Sequence, residues 1–330
     1  MKIKYYPNQP HCFAFGGFEI QMLDAFDSVK KLGVEAEKLD IWSRDNDFDI
    51  LHVWGFDYHT FNVINWAKLS GKKVIATVLL SYFDSYRKRI SYYKNYNHYH
   101  FLKKKYNELD ALVVVNDIQA DIANRFYGVE KSKIEIIPNI IKEPYFVKPK
   151  LSFSGIHNIS GYLLSVGNIC IRKNQLKLAE LAIKLDKKLV LIGKPIEGEN
   201  EYAEQLEKLI KGNENILWIK ELTSGSEELV SAYYDSKLFI LLSDEETQPI
   251  SVLEAIAANK PTILLNKTYA KQSCFQTATL CNNDFESIEN HINRIFSNNI
   301  YVENTNVLNC TKENVGMKYE EVYKKMLTRK

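Results

Sequence analysis

The segment Ser243-Asp-Glu-Glu246-Thr247-Gln248-Pro-Ile-Ser-Val-Leu-Glu254-Ala-Ile-Ala-Ala-Asn-Lys-Pro261 follows an apolar strand and leads into a helix. Glu246 falls in the loop or just before the helix start, and Glu254 about two turns further on. Carboxylates so placed reach different parts of one elongated ligand, while the first helical N–H groups meet a phosphate. The same residues also suit an acidic first turn and a solvated glutamate. A second cluster is Ser165-Val-Gly167-Asn168-Ile-Cys-Ile-Arg172-Lys173-Asn174-Gln175. Cations beside a helix N-terminus make a diphosphate site, because the free N–H groups point the same way. An ordinary surface loop is the alternative. In Phe15-Gly16-Gly17-Phe18-Glu19, paired glycines let a backbone approach a ligand, or simply make a tight turn.

These segments need strands that end where they begin. Apolar runs at 2–6, 49–55, 72–80, 111–116 and 134–139 alternate with helical patterns near 16–33, 60–70 and 117–127. Gly33, Gly71 and Gly128 stand at the expected helix stops. The stretch 139–161 has no clear period and reads as a linker. The rhythm restarts with strands at 162–167, 187–193, 215–220, 237–243 and 261–266, separated by helices near 174–186, 199–211, 225–235 and 250–258. A last helix spans about 313–328. This is an α/β protein of two doubly wound parallel-sheet units. The expected domains are 1–148, 149–311 and a terminal helix at 312–330. Ligands of such sheets bind beyond the strand carboxyl ends.

Composition narrows the class. Of 330 residues, 45% are apolar and 25% charged, which excludes a disordered, collagenous or disulfide-scaffold chain. The N-terminus lacks an apolar h-region, so no signal peptide is expected. Five scattered cysteines point to a reducing cytosol. Residues 1–150 carry 22 basic and 18 acidic side chains against 21 and 23 in 151–330, so positive charge concentrates in the first half.

In order, Gly16-Gly17, Asp49-Ile50-Leu51-His52, Ile137-Pro138-Asn139, Val166-Gly167…Lys173-Asn174 and Ser243…Glu246…Glu254-Ala255-Ile256-Ala257…Pro261 run across nearly the whole chain. This combination resembles the retaining glycosyltransferases of glycosyltransferase family 4, which have the GT-B fold: two Rossmann-like domains facing a central cleft. The resemblance implies a nucleotide-sugar donor held by the second domain and a glycan or lipid-linked acceptor held by the first. It implies that Lys173 holds the donor diphosphate, that Glu254 takes the ribose hydroxyls and that Glu246 contacts the donor sugar. Lys173 and Glu246 are then the catalytic pair. Gly16, Gly17, Gly167, Asn168, Arg172, Asn174, Thr247 and Gln248 complete the implied donor site, and the terminal helix is expected to cross back onto the first domain. Retention of anomeric configuration and a role in surface polysaccharide or lipopolysaccharide assembly follow from the same resemblance.

The sequence departs from the family in three places. Asn168 stands where an Arg is common, and Arg172 is the nearest substitute charge. Thr247-Gln248-Pro249 replaces a Gly-Phe-Gly, and proline donates no N–H. A histidine common after the strand at 72–80 is replaced by Leu79, Leu80 and Ser81; His11 is a substitute or a satisfied loop residue. No metal or other cofactor is expected. Asp45-Asn46-Asp47 spells a D-x-D but precedes a strand, away from the carboxyl ends.

From Tyr82 to Tyr106 the chain has seven Lys/Arg, one acid and seven Tyr. Long basic side chains with interleaved rings suit anionic lipid headgroups or a polyanionic glycan. Arg87, Lys88, Arg89, Lys103, Lys104 and Lys105 are the expected membrane or acceptor contacts, with the protein cytoplasmic and peripheral on the inner membrane face. A solvated helical hairpin is the plain alternative. Two other functions fit less of the pattern. One is a DNA-modifying glycosyltransferase, whose DNA binding would depend steeply on salt; nucleic acid is otherwise not an expected partner. The other is a catalytically silent GT-B protein that binds a nucleotide or glycan.

Overall fold

The computed structural model describes residues 1–13, 16–82, 96–298 and 300–328. The chain divides into two compact units, one of residues 1–140 and 309–330 and one of residues 141–308. Each holds a six-stranded parallel sheet.

The first unit contains β1 (Lys2–Pro7), α1 (Gly17–Lys31), β2 (Glu35–Lys38), β3 (Ile50–Trp54), α2 (Tyr58–Leu69), β4 (Lys73–Thr77), α3 (Tyr96–Glu108), β5 (Ala111–Val114), α4 (Asp117–Arg125) and β6 (Ile134–Ile136). Its strand order is β2-β1-β3-β4-β5-β6. Strand alternation sorts the side chains. Ile3, Tyr5, Ile50, Ile75 and Val113 face one core cluster, and Leu51, Val53, Val74, Leu112 and Val114 face another. Side-chain caps from Asp57 and Asn116 start α2 and α4.

Helix α11 (Lys312–Thr328) completes this unit. It buries Val315, Tyr319, Val322, Tyr323 and Met326 against the first core cluster. A polar chain crosses the contact. Tyr5 OH meets Tyr323 OH at 2.5 Å, Tyr323 OH meets His52 Nδ1 at 2.8 Å, and His52 Nε2 meets Thr77 Oγ1 at 2.8 Å. Neutral imidazole has one donor and one acceptor nitrogen, and the two hydroxyls, able to donate or accept, satisfy both. Burial pushes the His52 pKa down to about 3. At Gly316, α11 crosses α1 so closely that a Cβ would collide with Ser28 Oγ. Gly316→Val is therefore expected to cost about 2 kcal/mol in urea unfolding, and Ser28→Gly in that background to recover part of it.

The second unit contains α5 (Phe153–His157), β7 (Leu163–Val166), α6 (Gln175–Lys184), β8 (Leu189–Ile192), α7 (Asn200–Ile210), β9 (Ile216–Ile219), α8 (Glu227–Asp235), β10 (Leu238–Leu241), α9 (Ile250–Ala257), β11 (Thr262–Leu265), β12 (Thr279–Cys281) and α10 (Phe285–Ser297). The strand order is β12-β11-β10-β7-β8-β9. The chain winds outward from β7 in one direction and from β10 in the other, so a topological switch point lies between these neighbours.

Two differences from the sequence reading have physical reasons. The stretch 139–161 holds a 3-10 turn at Glu143–Phe146 and the short helix α5. Tyr145 and Phe153 are fully buried there, so most of this stretch builds the second unit. Strands β2 and β12 escape the sequence reading because each is short, lies at a sheet edge and buries a single residue, Ala36 or Cys281.

Candidate active site

The loops after β7 and β10 meet at the switch point of the second sheet, where Leu163 pairs with Leu238 and Leu164 with Phe239. The first loop turns through one 3-10 turn at Ile171–Lys173 and enters α6 through Asn174 at φ 55°. The second runs from Leu242 to Pro249, the N-cap of α9, which has no side-chain cap. Backbone and side chains stitch the two together. The Asp244 N–H donates to Arg172 O at 2.9 Å. Asn174 Nδ2 donates to Leu242 O and Asp244 Oδ2, both at 2.8 Å. Arg172 Nη1 donates to Ser243 Oγ at 3.3 Å and to Glu245 O.

Arg172, Lys173 and Glu246 converge here. Glu246 Oε1 lies 2.7 Å from Arg172 Nη1 and 3.8 Å from Lys173 Nζ. The side chains of Lys173 and Glu246 are 13% and 12% exposed against 42% for Arg172. The first two are therefore held in place, while the arginine reaches solvent. Glu246 Oε1 is buried and faces both cations, so the carboxylate charge is taken up within this group. Lys173 lies directly over Gly167, where a Cβ would strike Nζ. Gly167 has φ 139°, so a larger residue would also be strained.

Glu254 has a different setting. It is 6% exposed on α9, and Tyr233 OH donates to its Oε2 at 2.7 Å. Tyr145 also hydrogen-bonds this carboxylate. Burial first, and the charge of Glu254 second, push both phenols well above their ordinary pKa, so each keeps its proton to donate.

The other sequence-predicted residues divide. Asn168 is exposed and lends its carbonyl to Gln175 Nε2 at 2.8 Å. Gln248 is buried, with Nε2 donating to Gln272 Oε1 at 3.0 Å. The Thr247 carbonyl accepts from Gln272 Nε2 at 2.6 Å. Thr247 and Gln248 thus brace the loop against 269–275. Gly16 and Gly17 lie in the first unit at the start of α1, where Glu19 Oε2 accepts the Gly16 N–H at 2.8 Å. Lys105 pairs with Glu108 at 2.7 Å, and Lys103 and Lys104 are exposed on α3. Arg87, Lys88 and Arg89 lie outside the described residues. Asp45 and Asp47 sit beside Lys4 and Lys2, and among the described residues no cluster of His, Cys, Asp and Glu could hold a metal ion.

Tyr145, Tyr233 and Gly193 escaped the sequence reading. Gly193 closes β8 with φ 152°, and a Cβ on it would strike the Gly167 carbonyl. The signal was present, since YLLSVG and KKLVLIG end alike. In the first unit, a small cavity of about 10 Å³ lies beyond the carboxyl ends of β3 and β4, bordered by Phe18, Trp54, Thr77, Ile137 and Tyr319. It has room for about one water.

Comparison with known proteins agrees with this layout. Residues 151–308 match the family model "Glycosyl transferases group 1", and residues 23–143 match "Glycosyltransferase Family 4". No curated protein matches the chain at a significant level. Among solved structures, a glycosyltransferase from Rickettsia africae superposes with TM-score 0.75 at 16% identity, covering 99% of this chain and 98% of that one. Anabaena HepE in complex with UDP gives 0.74 at 11% identity, covering 99% and 100%; HepE is also solved with UDP-glucose. WaaG, a glycosyltransferase involved in lipopolysaccharide biosynthesis, gives 0.62 at 15%, covering 99% and 100%. By its fold and by the models its two halves match, the chain is a GT-B glycosyltransferase.

Proposed function

We propose that the chain transfers a sugar, with retention, from a nucleotide-sugar donor to a glycan or lipid-linked acceptor. The second unit holds the donor and the first holds the acceptor. The observation that carries this reading is the convergence of Lys173, Arg172 and Glu246 at the switch point, with Lys173 lying over Gly167. As the bond from sugar C1 to the diphosphate loosens, the sugar takes oxocarbenium character and negative charge grows on the leaving group. Lys173 and Arg172 stabilise that charge without reorganising, and preorganised charge of this kind commonly dominates catalysis. The Glu246 carboxylate contacts the donor sugar hydroxyls, and Glu254, with its tyrosines, takes the ribose. Side-chain cations serve the diphosphate, so the reaction needs no metal. The UDP and UDP-glucose complexes of HepE favour a nucleotide-sugar donor, and the role of WaaG favours surface polysaccharide or lipopolysaccharide assembly.

A thermal-shift screen of UDP-, GDP-, ADP- and CMP-sugars tests the donor reading. A ligand at 100 times its Kd stabilises the fold by about 2.7 kcal/mol. One nucleotide class is expected to raise the melting temperature of the wild type and not of Lys173→Ala. No shift with any of the four would sink the reading.

A further inference from the structure

Two phenols converge on Glu254 from different parts of the second unit. Tyr233 comes from α8 and Tyr145 from the 3-10 turn at Glu143–Phe146, and both are fully buried. Tyr233 OH donates to Glu254 Oε2 at 2.7 Å, and Tyr145 hydrogen-bonds the same carboxylate. The rings fix each other edge to face, with centroids 5.5 Å apart at 86°, and Tyr233 also stacks on Phe239 of β10 at 5.6 Å. The backbone of Tyr145 is held too, since Tyr234 OH donates to its carbonyl at 3.1 Å. The direction of the Tyr145 hydrogen is settled by another partner. The Gly225 N–H donates to Tyr145 OH at 3.2 Å, and a hydroxyl has one hydrogen to give. That hydrogen goes to Glu254, which as a carboxylate only accepts.

Packing alone does not require this arrangement. Phenylalanine would fill the space of either tyrosine, and an apolar residue at 254 would leave no buried charge to satisfy. A carboxylate as little exposed as that of Glu254 stays ionised only where donors compensate the water it has lost. The two phenols do so, and they also fix its orientation, because Oε2 cannot turn from Tyr233 without breaking a buried hydrogen bond. The result is a charged acceptor of one orientation on α9, the helix that follows the Leu242–Pro249 loop. A pair of neighbouring hydroxyls on a sugar ring suits such an acceptor. A ring without them gives up charge-assisted hydrogen bonds, a loss that binding sites use to reject analogues.

We infer that Tyr145 and Tyr233 are positioning residues that hold Glu254 as a fixed, charged acceptor, and that through it they make the protein select ribonucleotides over deoxyribonucleotides. The inference rests on the donor reading above, in which Glu254 takes the ribose, and adds the groups that give that contact its selectivity. Neither phenol touches the ligand, because neither has exposed surface.

Calorimetric titration of the full chain with UDP, GDP, ADP and CMP, and with their 2′,3′-dideoxy counterparts, tests it. For the base that binds, the wild type is expected to prefer the ribonucleotide by at least about tenfold, the low end for hydrogen bonds to a charged group. Tyr233→Phe and Tyr145→Phe should each lower that preference several-fold by weakening the ribonucleotide alone. A role confined to packing would weaken both ligands equally, or lower the melting temperature without moving the ratio. Tyr233→Phe added to Glu254→Gln should move the ratio no further, since the phenol acts through the carboxylate. Equal affinity of the wild type for both ligands would overturn the inference, and that measurement needs no variant to fold. So would an unchanged preference in both phenylalanine variants, and either result leaves the donor site itself standing. Absence of binding by all four ribonucleotides would instead remove the donor reading and the inference together.

Discussion

Lys173→Ala is expected to slow sugar transfer by about 10²–10³-fold at saturating donor, the usual cost of removing one preorganised charge from a developing anion. The side chain is 13% exposed and lies over Gly167, so no other group fills its place. Glu246→Gln keeps the shape but removes the charge that faces both cations, and a loss of similar size is expected. Arg172 differs. It is 42% exposed, and it ties Ser243 and Glu245 to the first loop. Arg172→Ala should therefore raise KM for the donor more than it lowers kcat. Initial rates across donor concentrations separate the two patterns. Undiminished turnover by Lys173→Ala would put the donor diphosphate elsewhere.

The second large effect concerns stability and acid. His52 is fully buried, and its pKa is pushed down to about 3 by burial. In the unfolded chain it titrates near 6.5. Below that value the unfolded state gains a proton that the folded state refuses, so stability falls as pH drops from about 6.5 towards 3. By pH 5 the loss from this residue alone is about 2 kcal/mol. His52→Gln cannot titrate, so its unfolding free energy should lack this slope. At pH 7 the histidine is a net stabiliser, because His52→Ala leaves the Tyr323 and Thr77 hydroxyls each short of a buried partner and opens a cavity. A loss of about 3–4 kcal/mol is expected there. Urea unfolding of the three proteins at pH 7 and pH 5 checks both statements. Parallel slopes for wild type and His52→Gln would show that another group controls the acid response.

The sequence carried the strand and helix rhythm because each buried strand is a short apolar run and most helices have a stop or cap. It failed at β2 and β12, where one buried residue per strand leaves no alternation to read. The candidate site was legible as two loops with suitable residue types. The pairing of Arg172 with Glu246 was not, because 74 positions separate them and only the adjacency of β7 and β10 joins them. Gln248 illustrates the reverse failure. The family resemblance put it in the implied donor site, and no local pattern showed that its amide also donates to Gln272. His52 was visible as part of a motif, while its partner Tyr323 lies 271 residues away and no local pattern announces it.

That separation bears on how the molecule is made. A ribosome releases Tyr5 and His52 long before Tyr323. The first sheet therefore waits, with one hydroxyl-lined face bare, while 141–308 emerges and is free to fold as a unit of its own. Only after 312–328 has emerged can that helix close β1 and β3, so a nascent chain arrested before that point would be a natural client for a chaperone.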